Sequence, residues 1–514
     1  MSDLTDEHAA PAVVRSRARR RRAEDRARPA TPTGRSGSSK RFVLLLLLVT
    51  VAAAGIRVTY VLAAKRHEPL QGDQIYYSGL ADGLARGDGF RDPFIRSRTV
   101  PSADHPPLTS LVLTPAAWLW RDDPGSTGNA DHRILAERLT MALAGAATVF
   151  AIGMAARRLV VDLDTYPDDR TARRVGLWAA ALAAVYPGLW INDGLLMSES
   201  IGALTIALVV LAAVRALDRP SSRRLFWLGA AVGLATLARA ESLMLAPLLV
   251  VPVALTRRGP RLERPPRAAL RWLAAGTVGV ALVIAPWVVP NLVRFDRPTT
   301  LSTNDGLTLL GTNCDPAWNG NSRGFWIFAC IAAVDSDHDG VNDWDEYRAG
   351  TLRPPANGDW STVSADYRSA ALHYLRHHLG GLPRVVLARE ARLWGLSPTE
   401  MVSLNEGEGR EPWASWAAAW SFDAVVVLGL LGWLVLWRRE RPVWPLAVHA
   451  VSAVLTGAAF YGLWRFRIGA EVGLLLGAAV AIDAVISRLR RRGKGGSPDG
   501  GHPTERGTAE RMAV

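Results

Sequence analysis

Long unbroken blocks of apolar residues alternate along this chain with short polar, arginine-rich connections. The first runs from Phe42 to Ala64 (FVLLLLLVTVAAAGIRVTYVLAA), and as a helix it reaches roughly 34 Å, enough to span a hydrocarbon core of about 30 Å. Further runs lie near 134–156, 175–192, 201–217, 225–238, 242–255, 272–290, 416–437, 443–461 and 466–486, so the pattern predicts ten helices of membrane type. Another stretch, Leu108 to Trp120 (LTSLVLTPAAWLW), contains Pro115. Fully helical, it would reach only about 20 Å, so it is expected to lie in the interface rather than cross. The 225–255 region reads as two short helices, because one helix would hold Arg239 and Glu241 at mid-bilayer.

Charge refines this picture. Lys+Arg number 60 against 47 Asp+Glu, for a formal net charge of +13, which alone would suit a nucleic-acid partner. Only three of the basic residues are lysines (Lys40, Lys65, Lys494), and many arginines sit at the ends of apolar runs. A membrane surface is therefore the better account, with no nucleic acid as partner. The arginine-rich first 41 residues lack the small-residue cleavage site of a secretory signal, so the first run reads as a retained anchor.

Eleven basic residues precede Phe42. With 108–120 not crossing, this tail, the connections 157–174, 215–224, 256–271 and 438–441, and the tail after Ser487 all fall on one side, the cytoplasmic one. Five parts are expected: a disordered basic cytoplasmic tail (1–41), a transmembrane catalytic module (42–292) with an outer loop (65–133), an extracytoplasmic domain (293–415), C-terminal transmembrane helices (416–487) and a second disordered tail (488–514). The location is the plasma membrane, with both termini cytoplasmic.

The outer segments then hold nearly all the ionisable groups available for chemistry. Gly72-Asp73-Gln74-Ile75-Tyr76-Tyr77 opens a helix ending at Gly87-Asp88-Gly89, with Asp73, Tyr77, Leu80 and Leu84 on one face. Asp73 reads either as an N-cap or as a reactive carboxylate. His105 lies in PSADHPPL, ahead of the interfacial helix. Tyr186-Pro187-Gly188 breaks the third run, and LLMSES leads into the fourth with Glu199 at its start, where the helix dipole favours a carboxylate in any case. Leu237-Ala238-Arg239-Ala240-Glu241-Ser242 sets a cation and an anion in an apolar run, as an ion pair or as substrate-binding groups. The last run opens with YGLWRFRIGAE, which carries Arg465, Arg467 and Glu471. Arginines outside escape the positive-inside account, and guanidinium forks suit phosphate.

Taken together, GDQIYY, PSADHPPL, LLMSES, LARAES and YGLWRFRIGAE resemble the GT-C fold glycosyltransferases that use polyprenyl-phosphate sugars, among them the protein O-mannosyltransferases and aminoarabinose transferases. The resemblance covers roughly 42–300 and 440–486. It implies an all-α polytopic bundle of about ten transmembrane helices with interfacial helices in the first outer loop, and an inverting glycosyltransferase acting at the outer face. The first-loop aspartate of the family, the catalytic carboxylate, corresponds to Asp73, and the acidic residue of its second outer loop to Glu199. Many relatives carry adjacent acidic residues in the first loop, whereas here Gln74 follows Asp73. His105, Arg239, Glu241, Arg465, Arg467 and Glu471 are the candidate substrate-binding residues. The implied partners are a polyprenyl-phosphate-linked sugar, a glycan, lipid or protein acceptor, and the bilayer, with no nucleotide cofactor. A multi-pass transporter or lipid flippase is the alternative, but its charges belong nearer the midplane than at helix ends. A catalytically inert binding or assembly subunit is a third reading.

The 293–415 segment adds two features. Cys314 and Cys330, on the oxidising side, favour a disulfide. DSDHDGVNDWDE, from Asp335 to Glu346, matches the D-x-D-x-D-G-x5-E calcium loop. Asp335, Asp337, Asp339, Asp343 and Glu346 are expected to supply carboxylate oxygens, and Val341 a backbone carbonyl, to a structural Ca2+.

Overall fold

The computed structural model describes residues 35–95, 100–121, 130–161, 169–255, 266–351 and 358–494. Most of the two tails, residues 122–129 of the first loop, residues 162–168 and the arginine-rich connection at 256–265 lie outside these residues. The chain divides into two compact units at Leu45/Leu46; the first contributes only the opening of α1 (Arg35–Tyr60) to the described residues.

Within the second unit the expected all-helical, multi-span architecture is observed. The main helices are α2 (Asp73–Arg86), α3 (Leu108–Leu119), α4 (Ala130–Val160), α5 (Asp169–Val185), α6 (Ser198–Asp218), α7 (Ser222–Ala238), α8 (Pro266–Arg294), α9 (Asp343–Ala349), α10 (Trp360–His377), α11 (Leu382–Leu393), α12 (Pro398–Gly407), α13 (Pro412–Arg438), α14 (Trp444–Ala459) and α15 (Ile468–Lys494). Among the described residues six helices are long and apolar enough to cross a membrane, or seven if α5 and the bent piece after it form one span. The remaining expected runs are shorter: α7 has 17 residues and α14 has 16.

Chain breaks fall where the sequence places its breakers. Pro187 removes a backbone donor, and the helix bends by 55° between Val185 and Pro187. α7 stops at Arg239, whose backbone is extended, and short 3-10 and π turns carry the chain from Ala240 to Val250. The two-helix reading of 225–255 thus fits the observed break. α3 is only 12 residues long, with Pro115 inside, and packs on α2.

Without a hydrophobic force between helices in lipid, close backbone approach has to hold such a bundle together. α13 packs on α15 and α7 on α8. A Cβ placed on Gly432 would fall 1.7 Å from the carbonyl oxygen of Gly477, and one on Gly229 would fall 1.9 Å from that of Gly276. Only hydrogen fits at either crossing.

One buried charge in this unit is answered by a network. Arg57, wholly buried inside the first apolar run, donates to Asp193 at 2.6 Å and to the carbonyls of Ala53, Ala183 and Ala184. Asp193 also accepts from Ser200 at 2.6 Å. With every polar group answered, this network ties α1 to the end of α5 and the start of α6.

Between α8 and α13 the chain forms a small core of its own around Leu310, Trp318, Ile331, Tyr367 and Val385. Cys314 and Cys330, joined as a disulfide with Cα atoms 5.8 Å apart, belong to it. Trp360 at the start of α10 donates to Asp92 at 2.9 Å, and Asp359 accepts from the Asp296 backbone amide. The segment is thereby fastened to the polar stretch that follows α2.

Candidate functional site

Four elements far apart in sequence bring their charged ends together. Asp73 is the first residue of α2, whose N-cap is Gly72 at φ +54°, a backbone region that favours glycine. No side-chain capping bond forms there. Asp73 therefore does not serve as the cap that its position suggested; it turns to Arg465, whose Nη1 lies 3.0 Å from Oδ2. Glu199, in the first turn of α6, likewise makes no cap, the N-cap being Met197. Fully buried, Glu199 accepts from Arg239 Nη1 at 3.0 Å, and its Oε1 lies 3.7 Å from Arg465 Nε.

Arg239 stands at the break after α7. Besides Glu199 it meets Glu241 at 2.6 Å and Ser198 Oγ at 3.1 Å. The ion pair with Glu241 fixes the turn, and the second ion pair joins that turn to the site. Arg465 lies in the 3-10 turn Trp464–Arg467 that opens α15. Both guanidinium groups lie against the Phe466 ring, at 5.4 Å and 5.8 Å from its centroid, an arrangement that stabilises neighbouring cations.

His105 completes one side. Its ring stacks on Tyr77 at 5.1 Å, and its Nε2 is 3.3 Å from Asp104 and 3.7 Å from Asp73. Burial works to lower the imidazole pKa, but Asp104 and then Asp73 outweigh it and raise the group above its ordinary value. For Asp73 itself, burial would raise the carboxyl. The Arg465 guanidinium and His105 override it and hold Asp73 well below the usual carboxylate range. Asp73 is ionised at neutral pH.

The site also contains groups that sequence reasoning missed. Glu408, between α12 and α13, places Oε1 3.3 Å from Arg465 Nη1 and pairs with Arg410. Arg410 in turn donates to Asn192 at 3.0 Å. Gln74, 1% exposed, donates to the Glu408 carbonyl and accepts from the Leu196 amide. Gln74 thus clamps three strands of chain at the place where relatives were expected to show a second acid, and further carboxylates reach Arg465 from Glu408 and Glu199 instead. Neither Glu408 nor Arg410 had a readable signal, because both sit in an ordinary charged loop (NEGEGREPW).

Two expected members stand apart. Arg467 and Glu471 pair with each other at 2.6 Å, and the Arg467 guanidinium lies 3.6 Å from the Phe422 ring centroid and donates to the Leu393 carbonyl. No hydrogen bond or ion pair joins them to Asp73, Glu199 or Arg239. The arrangement is that of a helix-start brace.

Chemically, the cluster offers an ionised carboxylate at an accessible edge, with its side chain 32% exposed, beside two deeply set arginines. Glu199 Oε2 and Arg465 Nε are buried and have no hydrogen-bond partner among the described residues. One acceptor and one donor of the cluster therefore keep unused hydrogen-bonding capacity.

Residues 130–289 match the family described as dolichyl-phosphate-mannose-protein mannosyltransferase. The resemblance read from the sequence is borne out over that stretch. It contains Glu199, Arg239 and Glu241, whereas Asp73, His105 and Arg465 lie outside it. The chain is also similar to the crystal structure of ArnT from Cupriavidus metallidurans bound to undecaprenyl phosphate. The identity is 17%, over 88% of this chain and 78% of that one, with a TM-score of 0.36. For the apo form of that protein the values are 17%, 87%, 78% and 0.34. No curated protein matches the sequence.

Proposed function

We propose that this protein is a membrane-embedded, inverting glycosyltransferase that moves a sugar from a polyprenyl-phosphate donor to an acceptor hydroxyl at the outer face of the plasma membrane. The observation that carries this reading is the meeting of Asp73 with Arg465, Glu199 and Arg239 at the ends of apolar helices. The family match over 130–289 supports the same class. Nucleotide sugars are confined to the cytoplasm, so an outer site is sensibly served by a sugar on a lipid phosphate.

In this mechanism Asp73 takes the proton of the acceptor hydroxyl, whose oxygen bonds to the anomeric carbon as the bond from that carbon to the phosphate oxygen breaks. The departing polyprenyl phosphate carries away the electron pair, and Arg465 and Arg239 stabilise its charge. A carboxylate held in an ion pair is a weak base. When the donor phosphate takes over Arg465, Asp73 loses its main counter-charge and its basicity rises, so donor binding itself readies the base. Glu199 keeps Arg239 in place from a fully buried position.

Purified protein supplied with labelled polyprenyl-phosphate sugars and extracted envelope acceptors should release free polyprenyl phosphate as the sugar moves. Passage of intact lipid across a vesicle membrane without release would assign a flippase instead. The orientation has its own test: reporters fused after Arg158 and Arg258 should read cytoplasmic, and one near Gly358 external. An external signal at Arg158 would mean that 108–120 crosses the bilayer.

A further inference from the structure

The loop from Asp335 to Glu346 takes no part in the chemistry above, yet its carboxylates converge. Oxygens of Asp335, Asp337 and Asp339 all lie within 4.8 Å of one another. No arginine, lysine or histidine among the described residues pairs with them. Such a cluster repels itself, and a bound cation would relieve that repulsion.

Two further observations point to a ligand. Glu346, at the start of α9, is 7% exposed, and its carboxylate makes no hydrogen bond to any described residue. Independently, Asp335 Oδ1 is buried and unpartnered. A buried acceptor without a donor is costly, and Asp335 Oδ1 borders the acidic centre.

We propose that this loop binds one calcium ion. Asp335, Asp337, Asp339 and Glu346 supply carboxylate oxygens and Val341 its backbone carbonyl. Gly340, at φ +92°, makes the reversal that brings the two halves of the loop together. Asp343 acts differently from its sequence expectation as a direct ligand. It is fully buried and already accepts from Tyr367 Oη at 2.5 Å and the Ser336 amide at 2.7 Å. Its place is to brace the loop on α10, the helix whose first residue, Trp360, bonds to Asp92. Calcium binding thus orders a segment fastened to the chain beside the Asp73 site, but the ion does not enter the reaction. Oxygen ligands on a flexible loop favour calcium over magnesium, which dehydrates reluctantly.

The test uses the full-length protein in detergent after chelation. Terbium, excited through the adjacent Trp344, should give saturable emission that calcium displaces at micromolar to millimolar concentrations. Calcium should also raise Tm by about 2–5 °C. Asp337→Asn with Asp339→Asn keeps the acceptors of the local turn hydrogen bonds on two exposed side chains, so the fold should survive. Both responses should be lost in that variant and at least tenfold weaker in Glu346→Gln. The proposal is overturned if wild type shows neither emission nor a Tm rise, if the responses persist in the double variant, or if equimolar magnesium reproduces them in full. None of these readouts depends on sugar transfer.

Discussion

Replacing Asp73 by Asn is expected to lower sugar transfer by a factor of about 100 to 10,000 while leaving the protein folded and inserted. The amide keeps the shape and a hydrogen-bond acceptor for Arg465 but cannot take the acceptor's proton. Asn is also as good a helix cap as Asp, so a capping role would leave activity intact. The structure gives that role no support, since α2 is capped at Gly72 without a side-chain bond. Transfer by monodisperse Asp73→Asn protein beside wild type, with donor binding measured separately, decides the point. Donor affinity should not fall, because the arginines hold the phosphate and the Asp73 charge no longer competes for Arg465. Full activity would refute the assignment and shift it to Glu199.

Arg465→Gln is expected to cost about 100- to 1,000-fold in kcat/KM, the usual loss when one preorganised donor to a leaving group's charge is removed. It has a second signature that a merely structural arginine would not show. In wild type the Asp73 carboxyl is held below its usual range by Arg465 and His105. A group with a depressed folded-state pKa adds stability above its unfolded value and loses it as pH falls through the folded value. Asp73 therefore stays ionised, and its contribution persists, down to unusually acid pH. Without Arg465 burial acts with less opposition and the carboxyl titrates at higher pH. The acid limb of the kcat/KM profile, which reports the free enzyme, should move upward in Arg465→Gln and return toward wild type in Arg465→Lys. An unmoved limb in an active variant would separate Asp73 from that titration.

Much of this protein was legible before folding was considered. Helix length against bilayer thickness, and arginine placement against the positive-inside bias, are one-dimensional properties of the chain, and they predicted the all-helical bundle, the breaks at Tyr186-Pro187 and Arg239, and a short helix at 108–120, observed at Leu108–Leu119. The calcium-type loop was equally readable, because its groups lie within 12 consecutive positions. Sequence alone also nominated Asp73, His105, Glu199, Arg239, Glu241 and Arg465, through charges stranded at the ends of apolar runs. It gave no way to tell Arg465, which joins the site, from Arg467 two positions on, which turns to Glu471 and Phe422. Nor did it reveal Glu408, which reaches Arg465 from a loop of unremarkable composition. Those choices depend on which helix ends meet in space. Arginines two positions apart on the turn before α15 point in different directions, and only packing decides which of them faces α2, which lies nearly four hundred residues earlier in the chain.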